Sequence, residues 1–223
     1  MKRQISQGLK STLLVTLLAA VAAPALTGCA AVVIGGATMG TLAVMDRRTF
    51  GIQTEDEAIE WKVRNAIAKK YGDVVHVNQT SYNRKVLLTG EAPNEEVKAD
   101  LERYAAAQTN VAQVWNEVVV GAITPFSARS NDAYITSKVK ARFVDGGKFR
   151  PNIVKVVTEA RTVFLLGIVT QGEADAAIEI ARTTADVKKV VNLLEVVSPA
   201  RAKELDLPPP DATKTQQPAP VQG

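Results

Sequence analysis

The sequence of 223 residues holds one cysteine and one histidine. One cysteine cannot close an internal disulfide, and a zinc-finger type of site needs several Cys or His ligands. The expectation is therefore no metal and no cofactor. Aromatic residues make up only 5% of the chain. No apolar run reaches the ~20 residues of a membrane-spanning helix: Leu13–Ala23 and residues 30–45 are both shorter, and the second contains Gly35, Gly36 and Gly40. Strong charge of one sign is also missing. The formal net charge is +4, but Lys2, Arg3 and Lys10 lie in a leader-like segment, and without them 24 basic residues remain against 23 acidic ones. A nearly neutral body offers no electrostatic footprint for nucleic acid. What is present, 46% apolar and 22% charged residues, is an ordinary globular composition. The length suits one medium domain or two small ones.

Residues 1–28 read as an export signal. A basic start leads into Leu13–Ala23, where Thr16 is the one polar residue, and then into Leu26-Thr27-Gly28-Cys29. That tetrad resembles the bacterial lipobox. The resemblance implies cleavage before Cys29 and acylation of it with palmitate-type chains, several of which hold a protein on a bilayer where one would not. Ala30 at the next position, in place of Asp, implies sorting to the outer membrane. Residues 29–54 are read as the lipidated Cys and a membrane-proximal tether. As flexible coil, the 24 residues from Ala30 to Gln53 span roughly 25–30 Å. Gly36 and Gly40 match a small-xxx-small spacing. Such spacing is common in a Gly/Ala-rich segment, and a monomer is expected.

The remainder contains an internal repeat. A shift of 76 places Asp56-x-x-Ile59-x-x-Lys62-Val63-Arg64 on Asp132-x-x-Ile135-x-x-Lys138-Val139-Lys140, and Val111-x-x-Val114-x-Asn116 on Val187-x-x-Val190-x-Asn192. A shift of 77 places Val86-Leu87-Leu88-Thr89-Gly90 on Val163-Phe164-Leu165-Leu166-Gly167. Each copy reads helix, strand, strand, helix, strand.

In the first copy, Thr54 to Glu57 forms a capping-box pattern, and Ile59, Val63 and Ile67 follow at helical spacing. Strands are expected from Val75 and from Val86, joined as a hairpin. Pro93-Asn94 opens a second helix, and Val114 to Val120 forms the last strand. In the second copy, Ser130-Asn131 caps a helix with Ile135, Val139 and Phe143 inward. Ile153–Thr158 and Val163–Ile168 are the hairpin strands, Ala174, Ile178 and Ala181 face the sheet from the next helix, and Val190–Val197 closes the unit. A helix between strands permits a parallel crossover. The fold class is thus α+β: two tandem αββαβ domains, each a three-stranded mixed sheet packed against two helices. They occupy residues 55–122 and 131–198, with a linker over 123–130 and a disordered Pro/Gln-rich tail over 199–223. Units of this size are near the lower limit of independent stability, so the two are expected to pack on each other.

The repeated Asp-x-x-Ile…Lys-Val, Val-x-Leu-x-Gly and Val-x-x-Val-x-Asn stretches resemble BON domains, as in osmotically induced periplasmic proteins. Together with the lipobox, the stretches Asp46-Arg47-Arg48-Thr49-x-Gly51-x-Gln53, Lys85-Val86-Leu87-Leu88-x-Gly90 and Ser130-Asn131-Asp132-x-x-Ile135-Thr136 are similar to the dual-BON outer-membrane lipoproteins of the DolP type. The resemblance covers about residues 26–197. It implies a periplasm-facing lipoprotein that binds anionic phospholipid, of the phosphatidylglycerol or cardiolipin class, and supports outer-membrane integrity; with no nucleophile–base pair to argue from, a non-enzymatic role is expected. It also implies that the first helix of the second domain makes the contact. The family's usual Trp there is Tyr134, and a Leu near the helix end is Val144. The family favours Gly in its hairpin turns, where this chain has Asn83-Arg84 and Ala160-Arg161. Asn suits a left-handed turn; Ala and Arg do so poorly.

The chemistry of the helix can be weighed separately. At 100° per residue, Tyr134, Ser137, Ala141 and Val144 lie away from the stripe of Ile135, Val139 and Phe143. Lys138, Lys140 and Arg142 flank that face, and Lys148 and Arg150 follow. The expected phospholipid-binding set is Tyr134, Ser137, Lys138, Ala141, Arg142 and Val144. The same face could instead pack on the first domain. In that case the protein would be a periplasmic protein-interaction module, acting on outer-membrane assembly or envelope-remodelling factors. Gly90 and Gly167 are expected to be structural, allowing a turn or a close helix–sheet approach. His76 is set aside because no carboxylate or second His adjoins it in sequence, and Trp61 and Trp115 are assigned to core packing.

Overall fold

Thr49 starts the fold's first helix, because its Oγ1 accepts the free amide of Ile52 at 3.3 Å. The computed structural model describes residues 46–207. Cys29, the export signal and most of the expected tether lie outside them. The elements run α1 (Phe50–Tyr71), β1 (His76–Tyr82), β2 (Lys85–Ala92), α2 (Glu95–Ala106), β3 (Gln113–Asn116), β4 (Val119–Val120), α3 (Phe126–Gly146), β5 (Val154–Glu159), β6 (Thr162–Val169), α4 (Gln171–Arg182), β7 (Lys189–Val196) and α5 (Pro199–Leu205).

The fold class is α+β, two αββαβ units in tandem. In each, a hairpin pairs antiparallel, β1 with β2 and β5 with β6. The strand after the second helix returns parallel to the hairpin's inner strand, β3 and β4 on β2, and β7 on β6. The third strand of the first sheet is broken at Glu117-Val118, whereas a continuous Val114–Val120 strand was expected. Val118 is almost fully buried in the first domain's core, and its amide bonds the Asn116 side chain at 3.4 Å. Turning Val118 inward interrupts the ladder there.

Three boundaries differ from the sequence reading. α1 starts before Thr54, whose Oγ1 bonds back to the Phe50 carbonyl at 3.0 Å, so Thr54 and Glu57 do not form the start box. α3 likewise starts before Ser130-Asn131, at Phe126, and takes in part of the 123–130 linker; Ser130 Oγ bonds to the Phe126 carbonyl at 3.0 Å. The expected tail begins with a helix, α5. Ser198 caps it, Pro199 occupies its first position, where no amide partner is needed, and Ala202 is buried. Residues 208–223 lie outside the described region.

β2 and β6 explain how the two domains meet. Val86 and Leu88 face the first domain's helices, and Val163, Leu165 and Val169 face the second's. The alternate residues, Leu87 on β2 and Phe164, Leu166 and Ile168 on β6, join Tyr82 in a third apolar cluster shared by both domains. The sheets therefore meet face to face, with helices on the outer sides. Both faces of these strands are covered, so their sequences read as unbroken apolar runs. Five buried side chains at ~1.5–3 kcal/mol each give this junction a gross stabilisation on the order of 10 kcal/mol. Trp115 packs at its edge, in the interface rather than in a single-domain core.

Candidate functional site

α3 is a 21-residue helix, about 32 Å long. Ile135, Val139 and Phe143 are fully buried on one side, in the second domain's core. The opposite side is open. Tyr134 is 62% exposed and Val144 64%, with Ser137 and Ala141 exposed between them. The face thus lies on the outer layer, and the interdomain contact is made by the sheets instead. Phe126, 76% exposed, extends the line by two turns. At 100° per residue Phe126 projects in the same direction as Val144, five turns away. The sequence reading missed it because it started the helix at residue 131. The Pro125-Phe126 step carried the signal, since Pro commonly precedes or opens a helix.

The basic rim is thinner than the sequence implied. Lys138 Nζ donates to the Ala185 carbonyl at 2.9 Å and pairs with Asp186 at 2.5 Å, while lying 4.8 Å from the Tyr134 ring centroid. Lys138 holds the Asp186 carboxylate below its ordinary range. Arg142 donates to the Ile180 carbonyl at 2.7 Å, Thr184 Oγ1 at 2.8 Å and Thr183 Oγ1 at 3.1 Å. Arg150 pairs with Asp206. These three cations tie the helix and the loop after it to α4 and α5. Lys140 and Lys148 are exposed and carry no bond or ion pair among the described residues, so they are the charges this end of the helix presents there. The six expected contact residues do share one helix. Tyr134, Ser137, Ala141 and Val144 are open to solvent, whereas Lys138 and Arg142 are engaged within the domain.

The chain enters the fold through a second polar centre. Arg47 is buried and donates to the Ile168 carbonyl at 3.0 Å. It also pairs with Glu173 at 2.6 Å and Asp206 at 2.9 Å. Although burial opposes ionisation, the Arg47 guanidinium holds both carboxylates below their usual range. Residue 47 is therefore fastened to the second domain and to α5. Residues 46–54, expected in the tether, are part of the described fold.

The remaining singled-out residues fall as follows. Gly90 and Gly167 lie within β2 and β6. A Cβ at Gly90, where φ is +112°, would stand 2.0 Å from the His76 carbonyl oxygen; at Gly167 it would stand 2.4 Å from that of Ile153. The close approach is to β1 at Gly90 and to the short 3-10 turn that opens β5 at Gly167. Trp61 is 62% exposed on α1, so it is no core residue. His76 does have carboxylate neighbours: Glu91, its cross-strand partner, lies 3.1 Å from Nδ1. Among the described residues, no helix is long and apolar enough to cross a membrane.

Comparison with known proteins agrees with this architecture. The BON domain family model matches residues 55–122 and 131–198. The chain is 40% identical over 172 residues to "Outer membrane lipoprotein DolP" of Haemophilus influenzae, covering 76% of this chain and 89% of that protein. It is 32% identical over 155 residues to the "21 kDa hemolysin" of Actinobacillus pleuropneumoniae, covering 69% and 80% respectively. Two copies of one αββαβ unit, each matched along its length, make this chain a member of the BON domain family, of the dual-BON DolP type.

Proposed function

We propose that the protein is an outer-membrane lipoprotein, anchored through Cys29 and facing the periplasm, which lays the open face of α3 on anionic phospholipid and thereby supports membrane integrity. The kinship with an outer membrane lipoprotein supports the location. The observation that carries the contact is the line Phe126, Tyr134, Ala141, Val144, exposed on a helix whose other side is locked in a core. An interfacial helix of this kind buries a shallow apolar face among headgroups. Lys140 and Lys148 add ~1 kcal/mol each near an anionic surface, so the face alone binds weakly. The acyl chains supply residence, and the helix supplies lipid selectivity. Arg47 fastens the chain to the second domain, so the tether we propose is the stretch between Cys29 and that point. A short tether leaving the domain that carries α3 keeps local lipid concentration high. This role is non-enzymatic.

Co-flotation of residues 30–223 with vesicles tests the reading. Capture by phosphatidylglycerol or cardiolipin vesicles, absent with neutral vesicles and lost in Tyr134→Glu and Phe126→Glu, is the expected result. Absence of capture by any vesicle, with the protein folded, would overturn it. A second reading, a periplasmic protein-interaction module acting on outer-membrane assembly factors, draws on α1. There Phe50 is 84% exposed and, at 100° per residue, falls on one face with Trp61. Under that reading, partner binding survives loss of anionic lipid and is lost in Trp61→Ala.

A further inference from the structure

His76 on β1, Glu91 on β2 and Glu159 at the end of β5 converge where the two domains meet. One ligand atom from each, the imidazole nitrogen and two carboxylate oxygens, lies within 4.8 Å of the others. We propose that these three residues form an interdomain site for a divalent transition-metal cation of the zinc class, with the fourth coordination position open to water.

Four observations support the assignment. The donor set is one imidazole and two carboxylates, which suits Zn²⁺ and its neighbours better than Mg²⁺ or Ca²⁺. Tetrahedral zinc with bonds of ~2.0–2.2 Å sets its ligand atoms about 3.4 Å apart; His76 Nδ1 and Glu91 Oε2 already stand at 3.1 Å. Small side-chain rotations bring in Glu159. Both glutamates are buried, Glu91 at 6% and Glu159 at 8% exposure, and a pair of buried carboxylates calls for a compensating cation. Finally, the remaining lone pairs are arranged as in a ligand shell. Glu91 Oε1 accepts from Thr124. Among the described residues, Glu159 takes its hydrogen bonds from Asn78 at 2.9 Å and Thr89 at 3.3 Å, both on Oε2, which leaves Oε1 open to a further ligand.

An entry path exists. A cavity of about 260 Å³ is lined by His76, Asn78, Arg129, Thr136, Thr158 and Glu159. Two other charged groups face it from α3. Asp132 has both oxygens committed to backbone amides. Arg129 lies 5.9 Å from the Phe126 ring, and its buried Nε has no acceptor. Arg129 is thus the competing cation, and the test must separate the two. Because His76 and Glu91 belong to the first domain and Glu159 to the second, a bound metal would staple the domains together.

The test uses the full lipidated chain in detergent, stripped by chelator and titrated with Zn²⁺, with Mg²⁺ as comparison and Co²⁺ as spectroscopic probe. The expected result is one Zn²⁺ per chain at micromolar affinity, a zinc-dependent rise in Tm, and the visible absorption of four-coordinate Co²⁺. Glu159→Gln and His76→Gln should each weaken zinc binding at least about tenfold and abolish the Co²⁺ band. The metal-free Tm of Glu159→Gln, equal to or above that of the parent, shows that the variant folds. Zinc uptake unchanged in both variants, or no saturable uptake at all, would overturn the site. In the second case, a loss of metal-free stability in Glu159→Gln would assign Glu159 to Arg129 instead.

Discussion

Asp132 holds the backbone of Arg161. Its Oδ1 accepts the Arg161 amide and its Oδ2 the Ala160 amide, each at 2.9 Å. Ala160 and Arg161 stand at φ +48° and +64°, a left-handed pair that L-residues disfavour by ~1–2 kcal/mol each. Asp56 does the same for Asn83 and Arg84, at 2.8 and 2.7 Å. The Asp of the repeated Asp-x-x-Ile motif is thus the clamp of each hairpin turn. Asp132→Ala should cost about 2–4 kcal/mol, since it orphans two amides at a strained turn. Ala160→Gly should recover about 0.5–1 kcal/mol. Shifts of the urea midpoint, at unchanged m-value, check both.

Gly90 and Gly167 give a sharper prediction. A methyl at Gly90 meets the His76 carbonyl oxygen at 2.0 Å, and one at Gly167 meets that of Ile153 at 2.4 Å. Gly90→Ala and Gly167→Ala should each destabilise by about 3 kcal/mol or more, measured by thermal unfolding. A loss of lipid capture with unchanged Tm would contradict their structural role.

The split among the basic residues of α3 can be read directly. Lys140→Glu and Lys148→Glu should each lower the affinity for anionic vesicles about fivefold or more, with little change in Tm. Lys138→Gln and Arg142→Gln should lower Tm, since they cut the bonds to Asp186 and to the end of α4. Vesicle titration beside a melting curve separates the two groups.

Acid should loosen the first domain through Asp100. Lys70, Tyr71 and Arg103 all bond it, Lys70 most strongly, and hold its pKa down to about 2. A depressed carboxylate contributes stability above its unfolded pKa near 4, and that stability is lost as pH falls through about 2. Between pH 4 and 2 the parent should therefore lose stability more steeply than Asp100→Asn, followed by far-UV circular dichroism.

Arg47 predicts a coupling between the two ends of the fold. Arg47→Met leaves Glu173 and Asp206 without their buried partner, a change on the order of 3 kcal/mol. It should also free α5. Limited proteolysis should then cut within residues 199–207, where the parent resists.

Much of this architecture is legible in the residues themselves. Ile135, Val139 and Phe143 repeat at helical spacing, and all three are buried. The hairpin register could even have located Glu91, because a two-residue turn at Asn83-Arg84 sets His76 opposite it. Glu159 could not be found this way, since it arrives from the other domain. Phe126 and α5 were hidden by prolines: Pro125 and Pro199 read as linker and tail, although Pro is at home just before or within a helix's first turn.

The sequence by itself determined two copies of one αββαβ unit and which face of each helix is apolar, because local periodicity decides which side of an element avoids water. Only the tertiary structure decided what covers the second apolar face of β2 and β6, and so left the Tyr134 side of α3 free. It also decided that Asp186 and the carbonyls of Ala185 and Ile180 engage Lys138 and Arg142. Those outcomes depend on groups many residues apart, whose pairing a local pattern does not encode.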